Sequence, residues 1–198
     1  MPYLFVIAGP NGSGKTTLVK KLSPRFRKKI TFINPDEIAK RLKGSYLQKE
    51  DNSLMIKAAK EAIRQREKNL LYNKNFGFET TLSGNSEIRF ISKAKERGYK
   101  VILVFIGLEN PELNILRVKQ RVEDKGHFVA PKIVFRRYEK SMKNLLKISK
   151  SVDKIYLLDN SGTKYRLLCK ITLDAKNPMK IVTKDYAPSW FLIFLNNF

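Results

Sequence analysis

The chain has 198 residues, of which 42% are hydrophobic and 29% charged. That balance suits one globular domain with a sizeable core and excludes a disordered or low-complexity polymer. Forty Lys and Arg against eighteen Asp and Glu give a net charge of +22, which points to acidic partners: nucleotides, nucleic acid, an acidic protein or an anionic surface. The lysines are scattered along the sequence, so a plain solvated basic surface is the alternative reading.

The first predicted element is the apolar run "YLFVIA", Tyr3–Ala8. Bounded by Gly9 and Pro10, it reads as a strand buried on both faces. A helix is expected from Lys15 to about Leu22. Between the two lies Gly9-Pro10-Asn11-Gly12-Ser13-Gly14-Lys15-Thr16, followed by Thr17. The spacing is that of G-x-x-x-x-G-K-[ST], the Walker A loop, whose glycines let backbone N–H groups turn around an anion. Lys15 reaches the outer phosphates and the Thr16 hydroxyl suits Mg²⁺.

"ITFI", Ile30–Ile33, is the second strand. Asn34 can cap the helix after it and Pro35 suits the first helical position. Asp36 then stands at the carboxyl edge of the sheet, where ligands bind in such folds. A carboxylate there can orient an acceptor hydroxyl and take its proton, so Asp36 is the candidate base. Glu37 is explained by the helix dipole alone.

Asn52–Tyr72 reads as a long helix with Leu54, Ala58, Ala62 and Gln65 on one face. "FGFETTL" contains the third strand, Phe76–Thr80. Alternation puts Phe78 and Thr80 on one face, and Glu79, Thr80 and Thr81 at the strand end form a candidate grip for a polyol or sugar. Asn85–Arg97 is helical and Gly98 ends it. "KVILVFIGL" is the fourth strand; it ends without the metal-holding acid of a motor ATPase, since Glu109 comes late.

Pro111–Asp124 and Pro131–Lys150 are two further helices around a loop with Gly126 and the lone His127. Arg117 and Arg121 are four apart and share a face. Arg136 and Arg137 are adjacent, so one of them points away. The pair reads as a lid over about residues 117–137, its arginines closing on a transferred phosphate. His127 has no metal-ligand neighbours; it is a candidate phosphate contact or lid cap.

"KIYLLDNSG" is the fifth strand, and a hairpin and docking tail follow over about 163–198. "WFLIFL", Trp190–Leu195, is far short of the roughly 20 residues of a membrane span; it is expected to cover the core. The alternation predicts one α/β domain, a sandwich on a mostly parallel five-stranded core sheet with a helical lid and a C-terminal hairpin. Cys169 is the single cysteine, so no intrachain disulfide forms and a cytoplasmic location is expected. The N-terminus shows no secretory pattern.

Taken together, "AGPNGSGKTT", "FINPDEIA", "FGFETTLSG", "RVKQRVEDKGH" and "RRYEKSMKNL" resemble the zeta-toxin-like P-loop kinases from about Tyr3 to Asn160. The resemblance implies a P-loop NTPase three-layer sandwich and a kinase using ATP or GTP with Mg²⁺. Characterised toxins of the family phosphorylate a hydroxyl of UDP-N-acetylglucosamine. By likeness Lys15 contacts phosphates, Asp36 is the base, Glu79-Thr80-Thr81 lie where the family grips its sugar nucleotide, and Arg121 with Arg137 sense phosphate. The expected partners are a nucleoside triphosphate and a small phosphate-bearing acceptor. No antitoxin segment is fused in this sequence, so an antitoxin is expected as a separate acidic protein.

Two departures set the sequence nearer the chromosomal zeta-like proteins. Glu79-Thr80-Thr81 replaces Glu-Gly-Thr, and Lys125-Gly126-His127 carries one glycine where many members have two. Two other functions compete. A polynucleotide or RNA-end kinase shares the loop, the aspartate and the arginines, and the charge favours it, but no aromatic–basic stacking motif for a single strand is present. A nucleotide-dependent binding protein without transfer leaves Asp36 unexplained.

Overall fold

The structure, a computed structural model, describes residues 1–43, 52–123, 128–173, 179–183 and 186–198. The chain begins with β1 (Tyr3–Ala8), α1 (Lys15–Lys21), α2 (Pro24–Lys29), β2 (Thr31–Ile33), α3 (Pro35–Lys43), α4 (Asn52–Leu71) and β3 (Phe76–Thr80). It continues with α5 (Asn85–Glu96), β4 (Lys100–Gly107), α6 (Pro111–Glu123), α7 (Pro131–Ser149) and β5 (Lys154–Asp159). β6 (Arg166–Thr172), β7 (Met179–Ile181) and α8 (Ser189–Asn197) complete it.

The strands form one sheet in the order β2-β3-β1-β4-β5-β6-β7. β2, β3, β1, β4 and β5 are parallel, as the alternation of strands and helices requires. The C-terminal hairpin extends the sheet: β6 pairs antiparallel with β5, and β7 with β6. The sheet thus has seven strands where the core was expected to have five. α2 was not expected, although Ser23 caps it by accepting from the Phe26 N–H at 3.3 Å and Pro24 opens it.

β1 lies between β3 and β4 and is covered on both faces. Leu4, Val6 and Ala8 are buried in the main core with residues of α4, α5, α7 and α8. Phe5 points the other way, where its ring meets Phe26 of α2 edge-on at 5.1 Å. These are the three layers. The apolar tail is a helix: Trp190, Phe191 and Phe194 of α8 are buried, and Trp190 sits 5.6 Å from the Phe105 ring of β4. Gly107 permits that approach, since a Cβ there would lie 2.3 Å from the indole. Among the described residues no helix is long and apolar enough to cross a membrane.

Candidate active site

All five parallel strands carry their carboxyl ends to one edge, and β1 delivers the loop 9–14 there. Gly14 precedes α1 with φ near +96°, a conformation glycine adopts without strain. A Cβ at that position would lie 2.5 Å from Asn160 Nδ2 and 2.8 Å from the Tyr165 hydroxyl. Both groups grip the loop. Asn160 Nδ2 donates to the Ser13 carbonyl at 2.9 Å, and the Tyr165 hydroxyl to the Gly14 carbonyl at 2.8 Å. Asn114 of α6 donates to the Asn11 carbonyl. Lys15 Nζ folds back onto the carbonyls of Gly9 and Pro10, at 2.8 Å each. The carbonyls of Gly9, Pro10, Asn11, Ser13 and Gly14 are therefore occupied, while the first N–H groups of α1 have no intrahelical acceptor and remain for an anion.

The loop borders a cavity of about 700 Å³. The sheet order divides its wall. On the β4–β5 side stand Arg117 of α6, Asn160, Gly162 and Tyr165; on the β3 side stand Asp36, Arg66, Thr81 and Glu87. Lys15, Thr16, Glu79, Arg121 and Arg137 also line it.

Glu79, Thr80 and Thr81 do not act as one grip, because strand alternation and the turn after β3 send them to different partners. Glu79 is buried on the loop side. Its Oε2 accepts from Thr16 Oγ1 at 2.7 Å and its Oε1 from Asn34 Nδ2 at 2.8 Å. The Thr80 hydroxyl is buried and accepts from the Leu82 N–H at 2.9 Å, holding a turn in which buried Leu82 takes φ 54°. Thr81 is half-buried at the cavity wall and shares a hydrogen bond with Ser83. The acid absent from the end of β4 is thus present on the other neighbour of β1: Glu79 pairs in register with Ile7.

Asn34 caps α3 as expected, accepting from the Asp36 N–H at 2.9 Å, and it also steers Glu79. Asp36 lines the cavity and is exposed, and its carboxylate makes no hydrogen bond among the described residues.

Of the lid residues, Arg117 and Arg121 share the cavity face of α6. Arg117 reaches the Ser161 and Gly162 carbonyls at 3.2 and 3.3 Å, which turns it toward the β5–β6 loop rather than the phosphate loop. Arg137 lines the cavity and donates to Asn11 Oδ1 at 3.3 Å, whereas its neighbour Arg136 is exposed and does not line it. Gly126 and His127 lie outside the described residues.

The electrostatics centre on Lys15. Burial lowers its pKa to about 8; Glu79 and Asp36 oppose the fall, and Arg121 and Arg137 add to it. Four charged side chains from four elements thus act on one ammonium. Burial raises the pKa of Glu79, opposed by its hydrogen bonds from Thr16 and Asn34 and by the charge of Lys15. Sequence reasoning missed Asn114, Asn160, Tyr165, Arg66 and Glu87. Asn160 and Tyr165 follow β5, the strand-end position that drew attention to Asp36; the others carried no local signal.

Comparisons with known proteins bear on the family and the fold. A family model described as zeta toxin matches residues 1–167. An uncharacterised protein of Haemophilus influenzae is 37% identical over 130 residues, covering 66% of this chain and 88% of that protein. Among solved structures, a chain of the AvrRxo1-ORF1:AvrRxo1-ORF2 complex with sulphate ions superposes with a TM-score of 0.73 at 20% identity, over 100% of this chain. This chain spans 63% of that one's length. The same complex solved with ATP gives a TM-score of 0.66 at 20% identity, over 91% of this chain and 60% of the other. The PezAT chromosomal toxin-antitoxin system of Streptococcus pneumoniae gives 0.63 at 17% identity, over 86% of this chain and 72% of its counterpart. At these identities the structural likenesses establish the fold.

Proposed function

The chain belongs to the zeta toxin family, and from that premise we propose that it is a phosphotransferase moving the γ-phosphate of ATP or GTP onto a hydroxyl of a small acceptor. The observation that carries the reading is the single cavity in which the phosphate loop, an unengaged Asp36 carboxylate and the side chains of Arg121 and Arg137 meet. A loop that only held nucleotide would need no free carboxylate opposite it.

In this reading the loop N–H groups and Lys15 hold the nucleotide's outer phosphates. Arg117, held by the Ser161 and Gly162 carbonyls, is read as lining the nucleoside end of the cavity, opposite Asp36. Mg²⁺ fits the donor set present. Thr16 Oγ1 and Glu79 Oε2 are hard oxygen donors 2.7 Å apart, and this ion is held through one or two carboxylates together with phosphates and waters. Thr16 and Glu79 would hold it, and it would neutralise charge on the phosphates.

Asp36 accepts the proton of the attacking hydroxyl, and Arg121 and Arg137 stabilise charge on the group in transit. Closure of α6 and α7 excludes water. Thr81 is read as an acceptor contact, with Glu79 reassigned to the metal. By family, the acceptor is a sugar nucleotide such as UDP-N-acetylglucosamine, the setting is cytoplasmic, and a separate acidic antitoxin binds the basic chain. The net charge of +22 favours one second reading, a kinase of RNA ends.

The test incubates the protein with γ-labelled ATP and, in turn, UDP-N-acetylglucosamine, nucleosides and 5′-hydroxyl RNA, with Lys15→Ala as control. Label on the sugar nucleotide, lost in Lys15→Ala, is expected. Label on RNA ends alone, collapsing between low and moderate salt as a polyphosphate grip would, overturns the small-acceptor reading.

A further inference from the structure

Arg66 of α4 was not among the predicted site residues, yet it lines the cavity on the same side as Asp36 and Thr81. Its guanidinium lies 4.4 Å from the centre of the Phe78 ring, which holds it by a cation–π contact. It makes no hydrogen bond and no ion pair among the described residues, and its Nε is sealed from solvent without a partner. A guanidinium stays protonated in proteins and offers five donors. Sealing one away without an acceptor is costly, so such groups are normally paired. Burial lowers its pKa, and only Glu87 opposes the fall.

Glu87 and Arg137 line the same cavity, and the Glu87 charge likewise opposes the fall in the Arg137 pKa. Glu87 does not approach Arg66 closely enough to pair; the contact recorded for it is the Ser86 hydroxyl, donating at 3.0 Å. The phosphate loop does not use Arg66 either. Strand order puts α4 and β3 on one side of β1, and the β5–β6 loop with Arg117 on the other. A neutral polyol entering beside Asp36 would leave the Arg66 charge unmatched.

We infer that Arg66 is a specificity-determining residue that receives an oxyanion, a phosphate or diphosphate, carried by the phosphoryl acceptor itself. This rests on the phosphotransferase reading and deepens it: the hydroxyl that reacts and the anion that anchors it belong to one molecule. Phe78 holds the guanidinium against its ring, and a guanidinium offers the fork geometry that matches phosphate oxygens. Glu87 lines the same side of the cavity, and its negative charge opposes an anion there.

The experiment uses the full chain saturated with Mg-ADP, so that the phosphate loop is filled. Two matched pairs are titrated by calorimetry: N-acetylglucosamine against its 1-phosphate, and uridine against UDP. The phosphate-bearing member of at least one pair is expected to bind ten-fold or more tightly than its neutral partner. Arg66→Gln should reduce that ratio to within two-fold while leaving Mg-ADP affinity unchanged. Because the guanidinium has no hydrogen-bond or ion-pair partner among the described residues, the Tm of Arg66→Gln should stay near the parental value, whereas a stabilising ion pair predicts a clear fall. Arg66→Lys should retain part of the ratio, and Glu87→Gln should raise it. An intact ratio in Arg66→Gln, or no preference for phosphate in the parent, overturns the inference while Mg-ADP binding leaves the phosphotransferase reading standing. A parent that neither binds Mg-ADP nor transfers phosphate removes both.

Discussion

The two ends of the cavity are built on opposite plans. At the β4–β5 end nearly every polar group is already engaged. Asn114, Asn160 and Tyr165 each hold a loop carbonyl, Lys15 holds two more, and Arg117 holds two carbonyls of the β5–β6 loop. At the β3 end the charged groups wait. Among the described residues, nothing hydrogen-bonds to the Asp36 carboxylate or to Arg66. One end is organised before any ligand arrives, so its ligand meets donors already in place. In the proposed reading, the other end leaves its charges to be met by groups that the substrate brings. Affinity for nucleotide should therefore depend on many small supports, and turnover on a few exposed groups.

The largest break in that contrast is Asp36→Asn. The amide keeps the side chain's shape but cannot take a proton. Phosphoryl transfer should fall by about 10²-fold or more, while nucleotide affinity stays within a few-fold. Single-turnover transfer and calorimetric Kd, measured on the same preparation, separate the two effects. Transfer at the parental rate would mean that another group is the base.

How much of this was readable beforehand follows from distance along the chain. The phosphate loop is eight contiguous residues and Asp36 stands in the first turn of the helix after the next strand, so local spacing sufficed to single them out. The parallel strands were legible from their apolar runs. The carbonyl braces were not: Asn114, Asn160 and Tyr165 lie 103, 147 and 151 residues from their partners, and an isolated Asn or Tyr has no periodicity. Glu79 was expected in a sugar grip; its contacts with Thr16 and Asn34 depend on β3 lying beside β1, which the sequence leaves open. Arg66 looked like one more cation on a polar helix face. α2 was overlooked because Phe26 is its one apolar residue, although Ser23-Pro24 is a helix-start signal.

The nucleotide end can be loosened one brace at a time. Asn160→Ala frees the Ser13 carbonyl, and Tyr165→Phe frees that of Gly14. Each removes a hydrogen bond worth roughly 1 kcal/mol, so Kd for Mg-ATP should rise by about five- to ten-fold in each. The rate at saturating ATP should change less, since neither residue lies at the acceptor end. The double variant tests whether the braces act as a unit: coupling beyond the sum of the two is expected for groups that share one loop. A fall in saturated rate with unchanged Kd would show that the braces serve the chemistry instead.

The smallest effect is the most specific, because it reads the charge on Lys15. Burial holds its pKa near 8 in the free protein, below the ordinary 10.5, with Arg121 and Arg137 adding to the fall and Glu79 and Asp36 resisting it. A bound polyphosphate favours the ammonium and raises the pKa again. Between those two values binding must take up a proton, so affinity falls as pH rises. Below about pH 7.5 Lys15 is already charged and Kd for Mg-ATP should be nearly flat. From pH 8 to 9 it should weaken by roughly five-fold, the fraction set by a group titrating at 8. Calorimetry at pH 8.5 in two buffers of different ionisation enthalpy should register the proton uptake directly. In the free protein the sign reverses: the unfolded chain keeps the lysine proton up to its higher pKa, so this group's contribution to stability rises with pH above 8. Lys15→Arg carries a charge that does not titrate in this range. It should bind more weakly throughout, with the dependence between pH 8 and 9 gone. A dependence that survives in Lys15→Arg assigns the titration to another group in the cavity and leaves Lys15 charged throughout.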